Sequence, residues 1–437
     1  MRIEALCMVG VCLLAGCATP GRLPAPPTVI NDAEPAGFPR SVRLVTTDLR
    51  GFLRQAPQFF DGIRRAAAGS PVNILALSGG GSEGAFGAGA LIGLSEAHER
   101  PRFELVTGVS AGALIAPFAF LGPRWDPELK AAFTSDQRQL LGASPTWRVA
   151  KRLVFPSPGK HDDPLFGMVD RYVTPAMVAA VARASERGRR LIIATTDLDS
   201  EETVLWDMGV VAEHGGPAAL ALFRDIIVAS ASVPGAFPPV LIRVRDGNHV
   251  YDEMHVDGTV TTSVFTFPLV ADLRPQDIPP LRSGRLYMIV NSQLAHLPKT
   301  TPLSTVAVLM RSFSAGMTYK TREAIIDTIN LASRLGMRFR LTEIPAEFPV
   351  TNVADFDPQF MRGLFDFGRR CALAGRLWLT AQQTNKRNMY PHAASTAADT
   401  TCPGDAEAAA GKPAPPQRAT SIITSLRLRN GSVHGGL

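Results

Sequence analysis

The feature that most constrains this chain is an alternation of short apolar runs with helix-length stretches, punctuated by glycines. Residues 72–77 form an apolar run of strand length bounded by Pro71 and Gly79, and residues 84–97 read as a helix with small residues on one side. Residues 103–107 are the next strand candidate and 111–121 the next helix. Residues 191–195 (LIIAT) are a third buried strand, 217–230 suggest another helix, and 286–290 another strand. Apolar runs this short suit buried strands better than helices. A βαβα order of this kind gives a parallel sheet with helices on both faces. The expected fold is therefore a three-layer α/β sandwich with a mainly parallel central sheet, spanning residues 41–390. Asp246-Gly247, between residues 241–245 and Val250, has the chemistry of a hairpin turn. Residues 303–335 look helical, in two segments, with Val306, Met310, Phe313 and Met317 expected to face the core.

Composition supports a folded chain. With 437 residues, 46% of them apolar, the chain can bury one large core or two modest ones. A charged fraction of 19% excludes disorder throughout. The formal net charge of +6 is spread out, with no run of five like charges. That balance suits a surface near anionic lipid and argues against a nucleic-acid partner.

The two ends depart from this pattern. An apolar run over residues 5–15 follows Arg2. It is too short to span a bilayer, which needs about 20 residues, but suits the core of a signal peptide. It ends in Leu14-Ala15-Gly16-Cys17, which resembles a lipobox, where the cysteine is acylated and becomes the first mature residue. Residues 1–16 are read as signal peptide and 17–40, rich in Pro, Gly and Ala, as lipid anchor and tether, with an ordinary cleaved signal peptide as the alternative. The expected location is the bacterial cell envelope, at the outer membrane, with the membrane as partner through Cys17. Residues 391–437 lose the apolar pattern and read as a largely disordered tail. An oxidising compartment would permit Cys371 and Cys402 to pair; two free cysteines are the alternative.

Three short motifs carry chemistry. Gly108-Val109-Ser110-Ala111-Gly112 is a G-x-S-x-G sequence between a strand and a helix. A serine on such a sharp turn projects its hydroxyl out of the sheet, and the helix start favours negative charge there. A structural turn with a capping serine is the alternative. Gly79-Gly80-Gly81-Ser82-Glu83-Gly84 lets backbone N–H groups converge on one anion without Cβ obstruction. It also fits the dinucleotide pattern G-x-G-x-x-G, which wants an acidic residue after the second strand. Glu104 begins that strand instead, which favours an oxyanion loop. Val256-Asp257-Gly258-Thr259 ends a strand-like stretch and by itself says only that the chain turns.

Together, SGGGSEGAFGAG, GVSAGA and VDG, in that order, resemble the patatin-like phospholipase family over roughly residues 72–288. The resemblance implies a serine lipid acyl hydrolase with a Ser–Asp dyad and no histidine. Ser110 is then the nucleophile and Asp257 the base, with Gly79, Gly80, Gly81 and Ala111 as oxyanion donors. Lipid or another ester is the implied substrate, and no cofactor is needed. The family often has Arg or Lys where this chain has Glu83, so that carboxylate must point away from an oxyanion. His255, two residues before Asp257, could approach the site; it and Asp197 are expected to be structural. No spacing typical of metal ligands occurs. Rival readings are a nucleotide- or phosphate-binding protein using the Gly79–Gly84 loop, and a non-catalytic lipoprotein module. Oligomeric state is not legible.

Overall fold

The computed structural model describes residues 22–30, 32–46, 48–135, 164–266, 281–295, 300–346, 348 and 356–389. The expected signal peptide, Cys17, Cys402 and the 391–437 tail lie outside the described residues.

In chain order, the elements that build the site are β1 (Glu34–Pro35), β2 (Arg43–Val45), α1 (Leu49–Ala67), β3 (Asn73–Leu77), α2 (Gly84–Glu96), β4 (Leu105–Val109) and α3 (Ala111–Leu121). They continue with β5 (Arg190–Asp197), β6 (Glu202–Asp207), α4 (Gly216–Ser230), β7 (Val240–Asp246), β8 (His249–Asp257) and β9 (Arg285–Val290). Last come α5 (Thr305–Arg334), β10 (Arg338–Glu343), α6 (Pro358–Leu373) and β11 (Leu379–Thr380).

The strands form one mixed sheet in the order β1-β7-β8-β5-β4-β3-β9-β10-β11, with β6 also on β5 and β2 on β6. The five central strands β5, β4, β3, β9 and β10 run parallel, as the βαβα pattern requires. Their register aligns Leu77 with Gly108 and Val109 with Ala194, so the ends of β3, β4 and β5 come level. The flanks are antiparallel. The β7–β8 hairpin turns at Asp246-Gly247, where Gly247 takes φ 55°, and brings Asp257 beside Thr195 of β5.

Alternate side chains of the parallel strands feed two apolar cores, as the two-residue strand period dictates. Leu75, Leu77, Val106 and Ile193 meet α2, α3, α4 and α6 on one face. Ile74, Ala76, Leu105, Val109 and Ile192 meet Phe60 and Ile63 of α1 and Ile325 and Ile329 of α5 on the other. The small residues of α2 let it lie against α6: a Cβ on Gly89 would stand 1.9 Å from the Phe365 carbonyl oxygen, and one on Gly368 2.3 Å from that of Phe86.

Two expectations are corrected. Of the tether assigned to residues 17–40, the described residues are in part built into the fold. β1 pairs with β7, and the Leu23 backbone exchanges hydrogen bonds with Asp252, whose N–H donates to the Leu23 carbonyl at 2.7 Å. Ala25, Ala33 and Phe38 are buried. A proline-rich segment is already extended, so it can line a sheet edge with little further ordering. The residue 303–335 region is one helix, not two, and Met310, Phe313 and Met317 are half-buried instead of in the core.

Candidate active site

Ser110 sits between β4 and α3 with φ 54° and ψ −122°, a backbone conformation that costs a non-glycine residue strain. The flanking glycines make the turn possible. A Cβ on Gly108 would lie 2.6 Å from the Gly112 carbonyl oxygen, and one on Gly112 2.4 Å from that of Leu77. The turn is also held from outside: the Ser110 N–H donates to Ser230 Oγ at 3.0 Å, and that hydroxyl donates to the Ala194 carbonyl at 2.6 Å. Ser230, the last residue of α4, thus ties the elbow to β5.

The fold brings Ser110 and Asp257, 147 residues apart, into direct contact. Ser110 Oγ donates to Asp257 Oδ2 at 2.6 Å, with the two residues 3% and 0% exposed. The other carboxylate oxygen, Oδ1, accepts from the Thr259 N–H at 2.8 Å and the Thr259 hydroxyl at 2.7 Å. Desolvation of this buried carboxyl pushes its pKa up to about 6, against the lowering effect of the Ser110 and Thr259 hydrogen bonds. Gly258 follows because a Cβ there would stand 2.5 Å from the Ala194 carbonyl oxygen.

The glycine loop faces this pair. A Cβ on Gly79 would lie 2.4 Å from Thr259 Cγ2 and 3.1 Å from Ser110 Cβ. Gly79 does not, however, fill the donor role expected of it: its N–H donates to the Ser263 carbonyl at 3.1 Å. Its place in the loop is close approach. The N–H groups of Gly80, Gly81 and Ala111 have no partner among the described residues. Gly81 takes φ 57°, and Ala111 opens α3, so its N–H is one of the groups a helix start leaves unpaired. Glu83 is buried at the end of this loop.

The remaining sequence candidates lie elsewhere. His255 is fully buried; its Nδ1 pairs with Thr195 Oγ1 at 3.0 Å and its Nε2 with Glu253 Oε2 at 3.2 Å. Glu253 is in turn paired with Arg43 of β2; against desolvation, the His255 hydrogen bond and then the Arg43 cation hold its carboxylate below the usual range. Asp197 shapes a turn, accepting from the Asp199 N–H at 3.1 Å and the Ser200 hydroxyl at 2.8 Å. The dinucleotide reading fails on Glu104, whose carboxylate accepts the Asn73 N–H at 2.8 Å. That contact lies at the start of β3, the opposite end of the strand from the glycine loop. Among the described residues, no group of three or more His, Cys, Asp or Glu is placed to hold a metal.

Residues 75–270 match the family model described as patatin-like phospholipase. The chain carries a patatin-like phospholipase domain. The matched stretch contains the glycine loop, Ser110 and Asp257, while the sheet runs on past it through β9, β10 and β11. No curated protein matches the chain. Solved structures similar to it include VipD from Legionella pneumophila, at 10% identity and a TM-score of 0.32 over 70% of this chain and 67% of that one. Human GIVD cytosolic phospholipase A2 is similar at 11% identity and a TM-score of 0.29, over 61% and 50% of the two chains. The type III effector protein ExoU is similar at 13% identity and a TM-score of 0.27, over 72% and 53%. The chain thus spans about half the length of the last two.

Sequence reasoning did not find Ser230, Thr259 or Ser263, the residues that orient the pair and the loop. Thr259 alone carried a signal, as the residue after Asp257-Gly258. The other two are brought in by α4 and by the chain after β8, which no local pattern announces.

Proposed function

We propose that this chain is a serine lipid acyl hydrolase working through Ser110 and Asp257. The observation that carries the reading is the 2.6 Å hydrogen bond from Ser110 Oγ to a fully buried Asp257. A solvated carboxylate is too weak a base to activate a hydroxyl, but one whose pKa is pushed up to about 6 is more basic while still ionised at neutral pH. Thr259 occupies Oδ1, which leaves Oδ2 for the serine proton.

The reaction is acyl transfer in two steps. Ser110 Oγ attacks the ester carbonyl carbon while its proton passes to Asp257. The carbonyl oxygen becomes an oxyanion that the Gly80, Gly81 and Ala111 N–H groups receive. The intermediate collapses, the C–O bond to the alcohol breaks, and Asp257 returns the proton to that oxygen. Water then gives its proton to Asp257, attacks the acyl-serine, and the fatty acid leaves as Ser110 recovers its proton. The lipobox-like Leu14–Cys17 sequence would tether the enzyme to a bilayer, where its substrate is found.

The test is covalent labelling with a fluorophosphonate alongside ester hydrolysis. Wild-type protein should label at Ser110. Ser110→Ala should lose both label and turnover, and Asp257→Asn should lose nearly as much turnover. Members of one catalytic unit are non-additive, so the double variant should be scarcely worse than either single. A folded Ser110→Ala variant that hydrolyses esters at the wild-type rate would end the proposal.

A further inference from the structure

A glycine-rich loop can approach an anion closely, but the same freedom means that it does not hold its own shape. Donors stabilise a developing charge only if they are in place before the charge forms. Something outside the loop must therefore fix it.

Asn291, the residue directly after β9, is positioned to do so. It is 0% exposed and lies 213 residues from the loop in sequence. Its N–H donates to Ser78 Oγ at 2.8 Å and its Nδ2 donates to the Ser78 carbonyl at 2.9 Å. The Ser78 hydroxyl in turn donates to the Gly79 carbonyl at 2.7 Å, so the exit of β3 is held on three bonds. Asn291 Oδ1 meanwhile accepts the Gly87 N–H at 3.1 Å, in the first turn of α2, where backbone donors lack helical partners. One side chain thus grips the loop at its entry and at its exit. The Asn291 carbonyl oxygen closes the remaining side: it stands 1.8 Å from where a Cβ on Gly80 would be.

We propose that Asn291 is a positioning residue, which holds residues 78–87 in the shape that aims the Gly80 and Gly81 N–H groups at the Ser110 hydroxyl. The inference rests on the reading of Ser110 as nucleophile. An asparagine suits the task because it donates to a carbonyl and accepts from an N–H at once, which neither Asp nor Leu can do in the same place.

The experiment separates positioning from mere support of the fold. An aliquot of each of Asn291→Ala and Ser78→Ala is labelled to completion with a fluorophosphonate to count competent serines, and the kcat of the unlabelled remainder is expressed per serine so counted. A residue that only supports the fold changes how many serines label and leaves turnover per labelled site alone. A positioning residue lowers turnover per labelled site. The expected result is a fall in kcat of about 10- to 100-fold for Asn291→Ala, with KM little changed, since loss of a single donor costs about that or more. Ser78→Ala should show a smaller fall of the same kind. The acidic limb of the pH profile should not move, because the contacts of Asp257 are untouched. Wild-type turnover per labelled site in both variants would overturn the proposal. If Asn291→Ala does not fold, Ser78→Ala decides alone. A Ser110→Ala control run beside them distinguishes the two readings. Hydrolysis surviving there removes the site assignment and this inference with it; a dead control beside fully active Ser78 and Asn291 variants removes only the inference.

Discussion

At the scale of single residues, the site combines two features that folding alone would avoid: a non-glycine elbow at Ser110 and an ionisable carboxyl at Asp257 with no cation beside it among the described residues. Burial sets the sign of the consequence. The Asp257 pKa is raised from 3.8 to about 6, so between those values the native state holds a proton that the unfolded chain has released. Stability contributed by this group is therefore present at low pH and is lost as pH rises through that window, by roughly 3 kcal/mol at 1.36 kcal/mol per pKa unit. Asn at this position has no proton to lose. Asp257→Asn should match wild type in stability near pH 4 and exceed it above pH 6 while hydrolysis is lost. Urea unfolding of both proteins at several pH values measures this, and a stability difference independent of pH would contradict it. On the proposed mechanism activity should follow the opposite course, with wild-type hydrolysis rising as pH increases through about 6 because Asp257 must be ionised to act as the base.

At the scale of elements, glycine packs directly against backbone where α2 crosses α6. The sequence reading of α2 as a helix with one small-residued side is accurate, but which helix takes that side was invisible, because α6 comes more than 260 residues later. A side chain at Gly89 must push the Phe365 backbone away, and backbone cannot give as a flexible side chain can. Gly89→Leu should therefore cost about 3 kcal/mol or more of stability. Gly363, on the exposed side of α6, has open space around it, and Gly363→Ala should stabilise by up to about 1 kcal/mol through helix propensity alone. Thermal melts of the pair check both signs. If Gly89→Leu melts with wild type, the tight α2–α6 crossing is not present in solution. Among the elements that went unread, β6 and β10 are short strands whose partners, not their composition, make them strands.

At the scale of the whole molecule, the segment after the expected anchor is built into the sheet that carries Asp257. Arg22 and Leu23 contact Asp252, β1 pairs with β7, and Arg43 grips Glu253, so the N-terminal segment braces the β7–β8 hairpin that ends at Asp257. Only residues 18–21 would then lie between an acylated Cys17 and Arg22, which donates to the Asp252 carbonyl. Cys17→Ser should move the protein out of the membrane fraction, or block its processing, while turnover on a soluble short-chain ester stays at the wild-type level. Fractionation followed by an ester assay decides this; a Cys17→Ser protein still membrane-bound and normally processed would remove the anchor from the proposal.

The sequence by itself determined the parallel core of the sheet, because buried parallel strands need uninterrupted apolar runs and their turns need glycine, and both requirements are local. It also pointed to Ser110 and the glycine loop, whose strand–turn–helix settings are written within a dozen residues. Tertiary structure decided the rest. Whether Asp257 was a turn or a partner of Ser110 depended on the register of β8 against β5. Gly79 lost its N–H to Ser263, and His255 was turned into the Thr195–Glu253 pair instead of toward Ser110. Asn291 and Ser230 became neighbours of the site only through the order of strands and the end of α4. Hydrogen bonds between residues more than a hundred positions apart leave no periodic trace in sequence, because their geometry is set by how the layers pack and not by what the chain does locally.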